Sequence, residues 1–257
     1  MKFDELDSKI RVFETAHDYC VLPGIYMVAR LDGRSFTRLT KEVHDFESPF
    51  DERFRNAMVQ AVEHLMNCGF RVTYGYTQSD EISLLLDRNE NTFGRKTRKM
   101  NSVLAGEASA KFSLLLGGVA CFDCRFSQLP TKGDVVDYFR WRSEDAHRNA
   151  LNAHCYWALR KEGQDAHHAN EALMKLSVAD KNELLFQRGV NFNDLPSWRK
   201  RGIGVVWERH EKEAVNQKTG QPVTTTRRRL KPVFDLPMRD EYSDFVASLI
   251  EEGKQVA

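Results

Sequence analysis

Apolar residues recur along this chain with two different periods, and the switches between them outline its elements. Phe3, Leu6, Ile10 and Phe13 fall three or four apart, which predicts a short amphipathic helix. Pro23-Gly24 interrupts that period, and residues 25–31 ("IYMVARL") read as a buried strand that stops at Asp32-Gly33. From 51 to 68, Phe54, Met58, Ala61, Val62, Leu65 and Met66 mark one helical face, with Gly69 as its C-terminal stop. Residues 70–76 ("FRVTYGY") alternate as a strand, 77–81 form a turn, and 82–86 ("ISLLL") return as the second arm of a hairpin. Residues 97–116 set Met100, Val103, Leu104, Phe112, Leu115 and Leu116 among Ala and Ser, a helix closed by Gly117-Gly118. Residues 119–126 ("VACFDCRF") read as a further strand.

The order so far is β-α-β-β-α-β, so the expected fold class is α+β, a ferredoxin-like polymerase palm. The remainder reads as mostly helical, over 134–160, 167–177, 180–188 and 239–252. It is interrupted by strands at 203–209 and 223–231, joined by a polar turn containing "QKTGQ". Residues 1–133 are therefore expected to form a palm-like catalytic domain, and 134–257 a helical region with a β-hairpin packed on it. Trp141 and Trp157, on the longest helix, read as core packing in preference to stacking on bases.

Composition changes this picture little. Of 257 residues, 41% are hydrophobic and 29% charged, as in ordinary globular proteins, and 38 basic against 37 acidic residues give a formal charge of +1. Net charge thus points to no nucleic-acid partner, but local charge does. Arg95, Lys96, Arg98 and Lys99 form one basic cluster, Arg199, Lys200 and Arg201 a second, and Arg227, Arg228, Arg229 and Lys231 a third. Each is a solvated run or part of a phosphate-binding face. Lys96 and Lys99 share a face at a helix start, where phosphate is favoured. Residues 227–229 alternate along a strand, so only part of that run can face an RNA backbone. No apolar stretch is long enough to cross a membrane, and five Cys without scaffold spacing make a reducing cytoplasm the expected setting. Cys121 and Cys124 are a lone C-x-x-C inside a strand, better read as buried thiols than as half of a zinc site. His167-His168, in a polar stretch, reads as solvent-facing.

The chemistry is concentrated at two places. Asp32 ends the first strand and Asp80-Glu81 occupy the hairpin turn; the β-α-β-β-α-β order makes them neighbours in space although 48 positions separate Asp32 from Asp80. Two carboxylates and a backbone carbonyl at a sheet edge suffice to hold the divalent ions that phosphoryl transfer needs. Gly33, with no side chain, allows close approach to a phosphate. Either acid alone would read as a turn residue; the topology makes the pair informative.

The stretches "RLDGRSF", "TQSDEISLLL", "WRSEDAHRNALN" and "ADKNELLF", in this order, resemble the tRNA-His guanylyltransferase family and its prokaryotic-type relatives, the 3′-to-5′ nucleotide polymerases. The resemblance spans about residues 5–235. It implies that Asp32, the Gly33 carbonyl and Asp80 bind two Mg²⁺ ions, with Glu81 as a supporting acid. Residues Asp32, Gly33, Arg34, Ser35, Phe36 and Thr37, with Ser79, would form the pocket of the incoming nucleoside triphosphate. Lys96 and Lys99 would hold a second triphosphate, and His147, Asn152 and Lys181 match further functional positions near RNA and nucleotide. The implied reaction activates a tRNA 5′ end with ATP and then adds GTP or another NTP through its 3′-OH. The implied assembly is a homotetramer built from dimers. "HRNALNA" at 147–153 and Ser48 before Pro49 and Asp51 depart from the eukaryotic pattern and suit 5′-end repair of tRNA over dedicated G−1 addition. A nucleotide cyclase would use the same paired acids but has no role for the later motifs. A non-catalytic RNA-binding module would have no use for acids facing phosphate.

Overall fold

The computed structural model describes residues 1–215 and 221–254, so most of the "QKTGQ" turn lies outside the described residues. The chain runs α1 (Phe3–Thr15), β1 (Tyr26–Gly33), and a short helix α2 (Phe36–Arg38) that passes into a wider turn, Leu39–Val43. There follow α3 (Glu52–Leu65), β2 (Val72–Gln78), β3 (Glu81–Leu86), α4 (Thr97–Leu116) and β4 (Phe122–Leu129). The second half holds α5 (Lys132–Lys161), α6 (Ala166–Met174), α7 (Val178–Phe186), α8 (Trp198–Arg201), β5 (Ile203–Val215), β6 (Pro222–Val233) and α9 (Arg239–Lys254). All six strands form one antiparallel sheet in the order β4-β1-β3-β2-β5-β6. The first four strands, with α3 and α4 as crossovers, carry the β-α-β-β-α-β order read from the sequence.

Side-chain alternation along β1 sorts the core into two layers. Met27, Ala29 and Leu31 pack with α3 and α4 through Met58, Leu65, Leu104 and Phe112. Tyr26 and Val28 point the other way, toward Val135 and Phe139 of α5 and Tyr242 and Val246 of α9. Arg30 and Asp32 continue that second set, so the α5 side of the sheet turns polar where β1 ends. The thirty residues of α5 extend about 45 Å, farther than the sheet it covers. Its second half therefore builds a separate cluster with α6 and α7, around Leu151, Cys155, Leu173, Leu185 and Phe192.

Several sequence readings need correction. β4 begins at Phe122, three residues later than the pattern suggests, because Gly117 adopts φ +69° to end α4 and the Ser113 hydroxyl ties down both backbone groups of Ala120. Trp141 is 54% exposed and so is no core residue. Two of the three basic clusters are partly drawn inward. Arg95 is buried and donates to the carbonyls of Val21, Ile25, Arg88 and Glu90. Lys96 and Arg98 both pair with Asp18, at 3.0 and 2.6 Å, and hold that carboxyl at about 2. Lys200 and Arg201 are buried and donate to the carbonyls of Asn193 and Leu236. Arg98 and Lys99 stay exposed, as do all four residues of the cluster on β6. His167 and His168 are exposed, and Cys124 packs against the core, where burial pushes its thiol up to about 12.

β5 joins the sheet at Gly202, where both backbone and space require glycine. Its φ is +79°, and a Cβ there would lie 2.6 Å from the Thr77 carbonyl and 2.7 Å from the Tyr76 hydroxyl. That hydroxyl donates to the Arg201 carbonyl at 2.8 Å. Gly202→Ala is expected to destabilise the fold by more than about 1 kcal/mol, seen as a lower urea midpoint with an unchanged slope.

Candidate active site

The residue pairing across three strands sets the site. Asp32 on β1 stands opposite Glu81 on β3 and Asp123 on β4, a row of three acids on the α5 side of the sheet. One step back, Arg30 stands between Ser83 and Arg125. Like charges side by side on a sheet repel, and the arginine row compensates unevenly. Asp32 lies 3.3 Å from Arg125 and 3.9 Å from Arg30. Glu81 is held much more closely: one carboxylate oxygen contacts Arg30 and the other Arg142. Arg142 comes from α5, is 5% exposed, and also meets Asp145 at 3.4 Å. Glu81 therefore has no oxygen free of an arginine and anchors the hairpin to α5.

Asp80 has the opposite environment. Ser79 and Asp80 are the two-residue turn between β2 and β3, and the Gly33 N–H donates to the Asp80 carbonyl at 3.0 Å. Ser79 holds φ +52° where such turns favour glycine, a conformation that costs an L-residue about 1–2 kcal/mol. Ser35, at φ +61°, does the same on the other side of the acids. No basic side chain pairs with Asp80 among the described residues. Burial outweighs the hydrogen bonds that Asp80 receives from its own backbone N–H and from Ser79 and, with a smaller push from the charges of Asp32 and Glu81, raises its carboxyl above the ordinary value.

A cleft of about 200 Å³ opens beside this turn. Phe36, Thr37, Ser79 and Asp80 line one end, and Phe50, Trp157 and Trp198 the other. Lys41 lies 4.7 Å over the Trp157 ring and Arg55 4.5 Å over Trp198. Ser48, Pro49 and Asp51 also line it; Asp51 caps α3 by accepting from the Arg53 and Phe54 N–H groups. Gly33 is needed for packing as well as for access: a Cβ would sit 2.7 Å from the buried Phe36 ring. That ring is fixed among Phe54, Phe112 and Phe122. Arg34, Ser35 and Thr37 are exposed around it. Past Ser35, the first N–H groups of the helical turn have no helical acceptor.

The structure thus gathers Asp32, Gly33, Arg34, Ser35, Phe36, Thr37, Ser79, Asp80 and Glu81 at one sheet edge. It does not bring Lys96 and Lys99 there. They sit at the N-terminus of α4, while the C-terminal end of that helix leads back to the active edge, so its twenty residues separate them by about 30 Å. His147 faces Phe192 and lines a second, wider cleft with Lys200 and Arg201; Trp198 lines both clefts. Burial, then Arg201, Lys200 and Arg239, lower the His147 pKa. Asn152 and Lys181 are half-buried on α5 and α7. Sequence reasoning missed Asp123, Arg125, Arg142, Lys41 and Trp198. The register that places the first three is a long-range property, whereas the tryptophan set beside basic residues in "PSWRK" offered a visible signal for Trp198.

Among the described residues no three His, Cys, Asp or Glu side chains are grouped to hold a metal. The donor set at hand is Asp32, Asp80 and the Gly33 carbonyl, and the unneutralised Asp80 carboxylate is the observation that fits a hard cation.

A family model described as tRNAHis guanylyltransferase matches residues 7–130, and one described as Thg1 C terminal domain matches 133–238. A Drosophila melanogaster protein named "Probable tRNA(His) guanylyltransferase" is 34% identical over 210 residues, covering 78% of this chain and 72% of its own. The solved structure of a bacterial tRNA(His) guanylyltransferase-like protein in complex with ATP superposes with TM-score 0.75 at 25% identity, covering 95% of this chain and 98% of its own. A structure of a bacterial protein so named, in complex with GTP, gives 0.72 at 25% identity and covers 96% and 99%. By class the protein is therefore an enzyme, a nucleotidyltransferase. The chain belongs to the tRNA(His) guanylyltransferase family.

The raised Asp80 carboxyl has a definite sign in stability. Below the ordinary aspartate range, about 3.9, the group is protonated folded and unfolded and costs nothing. As pH rises through that value and then through the higher folded value, the folded state gives up a proton it holds more tightly, and stability falls. Asp80→Asn should therefore raise the melting temperature at neutral pH. The gain should shrink as pH drops below the carboxylate range, and Mg²⁺ should stabilise the parent more than the variant. Thermal unfolding across pH, with and without the ion, checks all three.

Proposed function

We propose that the protein is a Mg²⁺-dependent 3′-to-5′ nucleotidyltransferase that adds nucleotides to the 5′ end of tRNA after ATP-dependent activation of that end. The adjacency of Asp32 and the cation-free Asp80 at the mouth of an aromatic cleft carries this reading. The neighbours solved with ATP and with GTP support nucleoside triphosphates as the ligands. β1, α3, β2, β3, α4 and β4 serve as a polymerase-type palm, in keeping with the strand order β4-β1-β3-β2.

Asp32, the Gly33 carbonyl and Asp80 would hold the Mg²⁺ ions, which lower the pKa of an attacking 3′-OH and neutralise charge on phosphate oxygens. Ser79 orients Asp80 by hydrogen bond. Glu81, clamped by Arg30 and Arg142, positions both acids without binding the ion itself. Trp157, Trp198 and Phe50 offer faces for a base, while Thr37 and Ser79, in the same cleft, would flank the phosphates. The 3′-OH of the bound NTP attacks the activated 5′ phosphate, the new phosphodiester forms, and AMP leaves. The chain's part is positioning and charge complementarity. Lys96 and Lys99 could take part only with a second triphosphate bound away from the Asp32 edge. The exposed apolar face of α1, with Phe3, Ile10 and Phe13, suits burial in a homotetramer, and five free thiols suit the cytoplasm.

Labelled NTP, ATP, Mg²⁺ and a tRNA lacking its first nucleotide test the proposal. The parent should extend the 5′ end, and Asp32→Asn or Asp80→Asn should each reduce extension at least about 10²-fold while tRNA binding persists. Undiminished extension by either variant would overturn the assignment. Product length and sequence on several truncated tRNAs separate templated repair from a single added G.

A further inference from the structure

We propose that Lys41 is a phosphate-binding side chain of the aromatic cleft, and that the Trp157 ring holds its ammonium until a base takes the same face. Leu39–Val43 is wound more widely than an α-helix, with the His44 N–H bonded to the Leu39 carbonyl five residues back at 3.0 Å. This turn continues α2, and the Thr40 hydroxyl donates to the Phe36 carbonyl at 2.8 Å, so it is tied to the backbone just past Gly33 and Ser35. Lys41 is exposed on the turn and lines the cleft that ends at Ser79 and Asp80. Its ammonium lies 4.7 Å over the Trp157 ring and 5.9 Å over that of Tyr156.

Charge singles out Lys41 among the residues around the cleft. Arg55, the other lining cation, meets Glu52 at 3.3 Å, donates to the Asn56 side chain and is stacked over Trp198 and Phe234. Of the lining acids, Asp51 is already held by Arg53 at 2.7 Å. Lys41 has no carboxylate within ion-pair distance among the described residues and only aromatic rings beneath it. A cation over an exposed ring is held weakly. An ammonium on a phosphate oxygen makes a charge-assisted hydrogen bond, roughly twice as strong as a neutral one. Lys41 is therefore the lining cation that loses least by moving to a phosphate.

A base and the ammonium compete for one surface. Trp157 walls the cleft, and a base stacked on it would occupy the face over which Lys41 lies. The displaced ammonium then meets the phosphates, which run from the Trp157 end toward Ser79 and Asp80. Without phosphates, the base costs the ammonium its ring contact and supplies no replacement. Lys41 thus favours nucleoside triphosphates over nucleosides, a selection that aromatic faces alone cannot make. This inference rests on the cleft being a nucleoside triphosphate site. It adds the side chain that reads the phosphates and the ring that keeps it while the cleft is empty.

Isothermal titration of ATP with Mg²⁺, and separately of adenosine, into the parent, Lys41→Met and Lys41→Arg tests it, each protein verified as folded by circular dichroism. Lys41→Met should bind ATP about tenfold more weakly, yet bind adenosine as well as the parent does or better. Lys41→Arg should recover most of the ATP affinity, since a guanidinium also pairs with phosphate. Equal losses for ATP and adenosine in Lys41→Met would make Lys41 part of the wall and overturn the assignment. Unchanged ATP affinity in that variant, or a parent that binds no ATP, would overturn it as well. If the parent extends tRNA while Lys41→Met binds ATP normally, the lysine assignment alone fails. If the parent shows the crossed pattern but extends no tRNA, Lys41 stays assigned and the 5′-extension reading fails instead.

Discussion

Glu81 is gripped by two arginines from different parts of the chain, Arg30 on β1 and Arg142 on α5. Arg142 is buried, and breaking a buried ion pair by removing one partner costs about 3–5 kcal/mol. The Glu81 carboxylate is that partner, at the first residue of β3, directly after the hairpin turn. The same contact therefore fixes three things: the register of β1 against β3, the seat of α5 on the sheet, and the position of the turn that presents Asp80. Ser83 adds a hydrogen bond to Tyr138 of α5 at 3.3 Å, on the same face.

That clamp explains how adjacent acids acquire different roles. Glu81 is neutralised by its neighbours and is structural in its immediate chemistry. Asp80, one residue earlier, pairs with no basic side chain among the described residues. Asp32 lies between these extremes, with one arginine at 3.3 Å and a second at 3.9 Å. The cation and phosphate site proposed above would need this gradation. Full neutralisation would leave the ion no reason to bind, and no neutralisation would destabilise the sheet edge. The left-handed backbone at Ser35 and Ser79 adds to the cost of holding the acids there.

Much of this was legible in the chain. Hydrophobic period marked the helices and strands of the first half apart from the short α2, and the resulting topology brought Asp32 to Asp80. What failed was whatever depended on long-range pairing. Asp123 and Arg125 belong to the site only because β4 lies beside β1 in one particular register. Arg142 read as one charge among many on a polar helix. Conversely, Arg95, Lys200 and Arg201 read as surface charge, but backbone carbonyls from loops distant in sequence surround them. A local charge run cannot reveal such partners. Lys96 and Lys99 came from resemblance and from their spacing at a helix start, and the length of α4 places them away from the acids.

α5 ties these parts together. Its first half covers the sheet and supplies Arg142, its middle presents His147 to the second cleft, and Trp157 in its last turns walls the first. Between these points the helix is continuous from Lys132 to Lys161. A displacement that opened the cleft at Trp157 would therefore also strain the Arg142–Glu81 contact and, through it, the turn holding Asp80. Cleft width and acid geometry are set by one rigid element, so tight packing of α5 on the sheet is a condition for the chemistry as well as for the fold.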